Sequence, residues 1–349
     1  MYNLWNTNSD FPTFKEMKEI NGIEHIDVHT AIKDEYQFLL GAAIIKHNNI
    51  FRSSWANSFR KENDNNTILS EKCSYDNGRT WTDYKKISRT DKEFGRSHGV
   101  YFEHKEKLYA FCPKAKYNKV DSYPDLKMEA YVLNEHGEWE YLDIVLDADF
   151  WPMCEPLTLD DGTFLMAGLK TDDVQAAVAL CDGKDITKWE IKVLPNAQGF
   201  EYWGETTVLK HKDKLIAIVR GGKDLNCALI SESYDNGQTW SDLEKSNFVI
   251  SQSKMYAGTL STGESYLVFS SKDETYRDTL CIAVGNDSFD RIYVIRHGFD
   301  ELPRFFLANE WCYPYAYEDE ENKKLYVVYA KNKEDCELAI IPIESISNR

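Results

Sequence analysis

The chain has 349 residues and a formal net charge of -17. It exceeds the usual size of one compact core yet shows no linker-like stretch, so either several domains abut or one repeat architecture fills it. No basic cluster offsets the acidity, which argues against a nucleic-acid partner and means that an anionic ligand must be held by a few placed cations.

The 21 Tyr, 17 Phe and 9 Trp, set against only 9 Pro, are the composition of a packed, strand-rich protein rather than a disordered one. The opening Met1-Tyr2-Asn3-Leu4-Trp5-Asn6 lacks a basic start followed by an apolar stretch, and no apolar run is long enough to span a bilayer. A cytoplasmic protein without membrane contact is therefore expected. The 8 cysteines are scattered without a C-x-x-C pair, which predicts buried, reduced thiols. The histidines show no metal-ligand spacing, so neither a metal nor another cofactor is expected; oligomeric state is not legible.

Taken in chain order, an apolar strand, a tight polar turn and a second apolar strand recur. The first copies are Gly41–Ile45 with Ile50-Phe51, Val100–Phe102 with Leu108–Phe111, and Pro156–Leu159 with Phe164–Ala167. The later ones are Thr207–Leu209 with Leu215–Val219, Gly258–Leu260 with Tyr266–Phe269, and Tyr315–Tyr317 with Leu325–Tyr329. A second signal runs in step. Ser74-Tyr75-Asp76-Asn77-Gly78-Arg79-Thr80-Trp81 and Ser233-Tyr234-Asp235-Asn236-Gly237-Gln238-Thr239-Trp240 both fit S-x-D-x-G-x-T-W. Such a turn staples itself: Asp caps backbone amides, Gly takes a positive φ, and Trp packs beneath. Weaker copies stand at Asn134–Trp139, at Cys181-Asp182-Gly183 with Trp189, and at Asn286–Phe289.

Trp81, Trp139, Trp189 and Trp240 thus recur at about fifty residues, the period of propeller blades. Six hairpins predict an all-β fold, a six-bladed β-propeller with four-stranded antiparallel blades, filling 1–349 as one domain. Each hairpin supplies the two inner strands of a blade, and the Asp-containing turn joins the two outer ones.

On these turns and hairpins the chain resembles the sialidase superfamily, the BNR or Asp-box proteins, over essentially its whole length. In such propellers, residues just before the first inner strand and just after the second converge on the axis. That rule nominates Arg96-Ser97-His98, Trp151 with Glu155, Tyr202-Trp203-Gly204-Glu205, Lys254 with Tyr256, and Trp311-Cys312-Tyr313. It also nominates Trp55-Ala56-Asn57, Lys114, Lys170, Arg220, Lys272 and Arg277.

The resemblance implies a tyrosine nucleophile at Tyr313, its proton acceptor at Glu205, and carboxylate-binding arginines at Arg220 and Arg277. It implies a general acid before the first Asp box, where Glu62-Asn63-Asp64 offers Glu62 or Asp64. Arg96, Trp151, Glu155, Tyr202 and Trp55 complete the expected substrate-binding set. One signature departs: the blade-one Arg-Ile-Pro is missing, and its place reads Phe38-Leu39-Leu40-Gly41.

The function implied is a sialidase-like exo-glycosidase that removes a terminal acidic sugar from a glycan, its partner being an acidic oligosaccharide. His98 has no required role in that chemistry. It fits an alternative in which an Arg neutralises a uronate and His98 or a Tyr removes the neighbouring carbon-bound proton, as in lyases or glycosidases acting on rhamnose-glucuronate polysaccharides. Because Asp boxes lie far from the chemistry, a non-catalytic glycan- or protein-binding propeller is the third reading.

Overall fold

The computed structural model describes residues 1–62, 64–117, 123–271, 276–305 and 309–348. Asn63 and Lys272, both singled out above, lie outside the described residues. Six sheets form, each an antiparallel meander at its centre, and together they make a six-bladed propeller. Blade one consists of Phe38–His47, Ile50–Ser58, Ile68–Ser74 and Lys85–Lys86, and the following blades repeat this order. The predicted hairpins are the inner strand pairs of the six sheets. Innermost strands pack against those of neighbouring blades, and Trp311–Asp319 of blade six meets Phe38–His47 of blade one. Inner strands have neighbouring blades on both faces, so Ser265–Ser271 and Thr279–Gly285 are buried along their whole length.

Closure of the ring was not legible in the period. Blade six takes its outermost strand from the start of the chain: Glu24–His29 pairs antiparallel with Asp335–Pro342. The residues before it strap blades four and five. Tyr2 bridges to Ser246, Trp5 to Phe289, and Lys18–Glu19 runs parallel to Phe289–His297. Leu4 and Trp5 thereby join Phe248, Phe269 and Phe289 in an apolar cluster separate from the main core. No described helix is long and apolar enough to cross a membrane.

The two full Asp boxes behave alike. Asp76 accepts from the Thr80 amide at 2.8 Å and its hydroxyl at 2.6 Å, while the Trp81 indole donates to the Gly78 carbonyl at 3.0 Å. Asp235 accepts from the Thr239 amide at 2.9 Å and hydroxyl at 2.6 Å, and Trp240 donates to Gly237 at 3.0 Å. These bonds hold the Asp76 carboxyl down at about 2, chiefly through the Thr80 hydroxyl. The weaker copies also connect third and fourth strands, in blades two, three and five. Blade six has no such turn, since its fourth strand comes from elsewhere in the chain.

This topology places the chemistry. In a four-stranded meander the start of strand one, the end of strand two and the start of strand three share one end of the blade, and the third-to-fourth turn lies at the other. The Asp boxes and the axis-facing loops are therefore at opposite ends.

Candidate active site

At the loop end, Glu62, His98, Trp151, Trp203, Glu205, Arg220, Arg277, Tyr313 and Lys333 line one cavity of about 210 Å³, with Leu40 and Met153 among its apolar walls. Irregular innermost strands aim these groups inward. Pairing shifts between Leu40 and Ala43 in blade one, between Tyr202 and Thr206 in blade four, and between Cys312 and Tyr315 in blade six. A bulge inserts residues that the partner strand does not match, and so re-aims a side chain. Each of these three holds a residue in the left-handed region: Gly41 at φ 64°, Gly204 at φ 78° and Tyr313 at φ 55°. For the bulky Tyr313 that conformation is strained by about 1–3 kcal/mol, which the surrounding packing must hold. In blades two and three the innermost strand is broken instead, at Ser97-His98-Gly99 and at Met153-Cys154-Glu155-Pro156.

The Tyr313 hydroxyl donates to Glu205 Oε1 at 2.6 Å, while Arg220 Nη1 pairs with Glu205 Oε2 and stands 3.4 Å from the Tyr313 oxygen. Burial, reinforced by the Glu205 carboxylate, pushes the Tyr313 phenol well above its ordinary value, so it is neutral at rest. Burial would weaken the Arg220 guanidinium, but Glu205 and Tyr313 keep it above its ordinary value. Arg220 Nε is buried without a hydrogen-bond partner, and the guanidinium carbon lies 5.0 Å from the Trp203 ring.

A second charged chain faces this one. Arg277 pairs with Glu310 at 2.8 Å, Glu310 lies 3.6 Å from Lys333, and Lys333 pairs with Glu62 at 3.0 Å. Burial opposes the charge on Lys333, yet Glu62 and Glu310 hold it above the usual lysine range. His98 lies between the two clusters and Trp151, its ring 5.8 Å from that of Tyr313 and 5.0 Å from that of Trp151. Burial, with a smaller push from the Lys254 ammonium, lowers its pKa to about 3, so His98 is a neutral imidazole.

Of the twelve residues given a catalytic or substrate-binding role from the sequence, seven meet in the cavity: Tyr313, Glu205, Glu62, His98, Arg220, Arg277 and Trp151. Five do not, which corrects the expectation that all of them serve one site, although Glu155 still reaches across the axis from blade three to Tyr256 of blade five. Arg96 is spent within its blade, pairing with Asp91 at 2.5 Å and Glu129 at 3.1 Å. Trp55 stands opposite the blade-one bulge and turns toward blade six, stacked on His29 at 4.9 Å with its indole donating to Asn57. Asp64 caps its own turn, accepting from the Asn66 amide at 3.3 Å. Glu155 accepts from the Tyr256 hydroxyl. Tyr202 lines a neighbouring groove between blades three and four.

Lys333 and Glu310 were missed. The positional rule that nominated Arg220 after the second strand of blade four also reaches Lys333 when applied to blade six, and Glu310 immediately precedes Trp311. At the place of the absent blade-one signature, the structure has Leu40 on the cavity wall and Gly41 against His98. Among the described residues, no group of three or more His, Cys, Asp or Glu could hold a metal ion.

Comparison with known structures finds the same scaffold. A Dyadobacter fermentans protein of unknown function superposes with a TM-score of 0.71 at 15% identity, over 93% of this chain and 100% of the other. A mutant of the NanB sialidase from Streptococcus pneumoniae gives 0.71 at 11% identity, over 92% of this chain and 71% of the other. Trypanosoma rangeli sialidase in complex with sialic acid gives 0.66 at 16% identity, and there the match spans 94% of this chain but 60% of the larger protein. No curated protein matches in sequence. The family model for the BNR repeat-like domain matches residues 55–327, well over half the length, and the chain belongs to that family as a divergent member built on the sialidase propeller.

Proposed function

We propose that this protein is a sialidase-like exo-glycosidase that releases a terminal acidic sugar from a glycan. One observation carries the reading: a phenol, a carboxylate and a guanidinium, Tyr313, Glu205 and Arg220, are mutually hydrogen-bonded on the wall of a cavity that also presents Arg277 and Lys333.

A sugar bearing a carboxylate beside its anomeric carbon repels an anionic nucleophile, and a neutral phenol avoids that repulsion. A phenol with a raised pKa needs a base in contact, which Glu205 supplies. In the first step the Tyr313 oxygen bonds to the anomeric carbon and its proton passes to Glu205. The bond to the leaving oxygen breaks as Glu62 protonates that oxygen. In the second step water attacks the anomeric carbon, Glu62 takes the water's proton, and the Tyr313 oxygen departs, recovering its proton from Glu205. Arg220, Arg277 and Lys333 hold the substrate carboxylate, with Lys333 as the third cation where blade one contributes none. In the resting site Lys333 pairs with Glu62; a substrate carboxylate that draws Lys333 away leaves Glu62 free to take up the proton it must donate.

The test is product analysis on α-sialosides and glucuronides. Free acidic sugar that disappears in Tyr313→Phe supports the reading, and an intact Tyr313→Phe activity refutes it. A second reading makes the Tyr313–Glu205 pair, beside Arg220 and Arg277, the base that eliminates a uronate, because the buried His98 imidazole, lowered to about 3, binds a proton too weakly for that task. That chemistry would announce itself by an ultraviolet-absorbing unsaturated product. Glycan binding unaltered in Tyr313→Phe, with no turnover by the unmodified protein, would mark a binding module.

A further inference from the structure

Lys254 is a buried cation with no part in the proposed chemistry. It stands just before the first strand of blade five, Tyr256–Thr259, and is 3% exposed. Its ammonium donates to the Pro314 carbonyl at 2.9 Å and lies 5.3 Å from the Tyr315 ring and 5.8 Å from the Tyr256 ring. Burial lowers its pKa, and Cys154, Glu205 and Glu155 oppose that shift. The same ammonium helps to keep His98 neutral. It is thus within electrostatic reach of Glu205 and His98 without lining the cavity they share. A buried ammonium is costly, and a well-packed apolar side chain of similar volume would serve stability as well or better. The charge is explained by what it holds.

Pro314 directly follows Tyr313. In the ladder Cys312 faces Ala330 and Tyr315 faces Val328, so Tyr313 and Pro314 together stand opposite Tyr329. That is a bulge of two residues against one, and its carbonyls are free to find partners outside the strand pair. Proline fixes its own φ and normally keeps the residue before it extended, yet Tyr313 has φ 55°. The conformation runs against two local preferences and must be held from outside the strand. Blade five holds it on both sides. Ser270 Oγ donates to the Trp311 carbonyl at 2.8 Å, two residues before Tyr313, and Lys254 donates to the Pro314 carbonyl just after it. The direction of the phenol depends on these tethers, because its hydroxyl meets Glu205 of blade four at 2.6 Å. A backbone relaxed to negative φ would swing the side chain away from a partner on another blade.

We propose that Lys254 is a positioning residue: by holding the Pro314 carbonyl it keeps Tyr313 in the left-handed conformation that brings the phenol to Glu205. Its consequence for turnover rests on the nucleophile reading of Tyr313; its geometry does not. Lys254→Met keeps the length of the side chain and removes the donor. Crystal structures of the unmodified protein and of the variant test the geometry whatever the activity. A Tyr313 hydroxyl more than about 3.5 Å from Glu205 in the variant upholds the proposal, and a retained hydrogen bond overturns it. Where the unmodified protein cleaves an acidic glycoside, kcat of the variant falls at least about tenfold while KM stays within about twofold, because the nucleophile is displaced and the cations that bind the carboxylate are not. A smaller loss of kcat, or a matching change in KM, overturns the proposal. If the unmodified protein cleaves no acidic glycoside, the nucleophile reading fails and the two crystal structures alone judge Lys254. Should Lys254→Met not fold, Lys254→Gln, uncharged and one atom too short to reach the carbonyl, replaces it with the same expected outcomes. If neither variant folds, Lys254 serves the fold rather than the phenol and the proposal is overturned.

Discussion

Gly41 and His98 contend for one space: a Cβ on Gly41 would lie 2.0 Å from His98 Cγ and 2.4 Å from its Cβ. Blade one therefore sends no side chain toward the axis at this point, and blade two fills the volume with an imidazole. Gly41→Ala is expected to cost more than about 2 kcal/mol, combining overpacking with a left-handed backbone. Denaturant unfolding measures it. His98→Ala should not rescue the variant, since the His98 Cβ itself is in the way, whereas His98→Gly should recover part of the loss.

Tyr313→Phe removes the only donor that Glu205 Oε1 receives from the tyrosine and leaves Arg220 on the other oxygen. Turnover should fall by at least about a thousandfold, as for loss of other covalent nucleophiles, with the melting temperature nearly unchanged. Steady-state kinetics beside a thermal melt decides it.

Lys333→Met deprives Glu62 and Glu310 of their shared cation. KM for an acidic substrate should rise at least about tenfold, the equivalent of one charge-assisted contact. An unchanged KM would remove Lys333 from the carboxylate site.

Arg96 and Glu129 form a buried structural pair, joined by Arg89 and by the Tyr131 hydroxyl at 2.6 Å. Burial alone would raise the Glu129 carboxyl, but Arg96, Tyr131 and Arg89 hold it below the ordinary range. Arg96→Ala should cost about 3–5 kcal/mol of stability and leave KM where it is, because a buried carboxylate loses its partner and neither group lines the cavity. Denaturation and kinetics on the same preparation separate the two effects.

Acid should weaken the fold through buried histidines. Burial lowers His98 to about 3 and His29 to about 4, against about 6.5 in an unfolded chain. Below 6.5 the unfolded chain binds protons that these rings refuse, so their contribution is complete above that pH and is lost as pH falls toward 4 and then 3. Each ring contributes up to about 1.4 kcal/mol per pH unit in that window. His98→Gln should flatten the slope of stability against pH.

The scaffold was legible because its signals are local. A hairpin and a self-capped turn each lie within a few residues, and they repeat, so Trp81, Trp139, Trp189 and Trp240 mark blades without any long-range information. The charged core was half legible. Glu205 and Arg220 stand on one hairpin and Tyr313 at the start of another, so strand order alone brought them to the axis. Arg96 and Trp55 satisfy the same positional rule yet turn away, because a bulge or a broken strand decides the direction of a side chain. Gly41 and Gly204 hinted at those irregularities, but Tyr313 has a positive φ that no residue preference signals. The pairing of Lys333 with Glu62 joins blades six and one and has no sequence pattern at all.

Ring closure by Glu24–His29 has a consequence for biosynthesis. The strand precedes all six inner hairpins in the chain and must wait, unpaired, until Asp335–Pro342 has left the ribosome. For that interval the nascent protein carries an open edge competent to pair with another chain. Chaperone dependence and a liability to intermolecular strand exchange should concentrate there, and covalently tethering the two strands should speed productive folding more than any change at the rim.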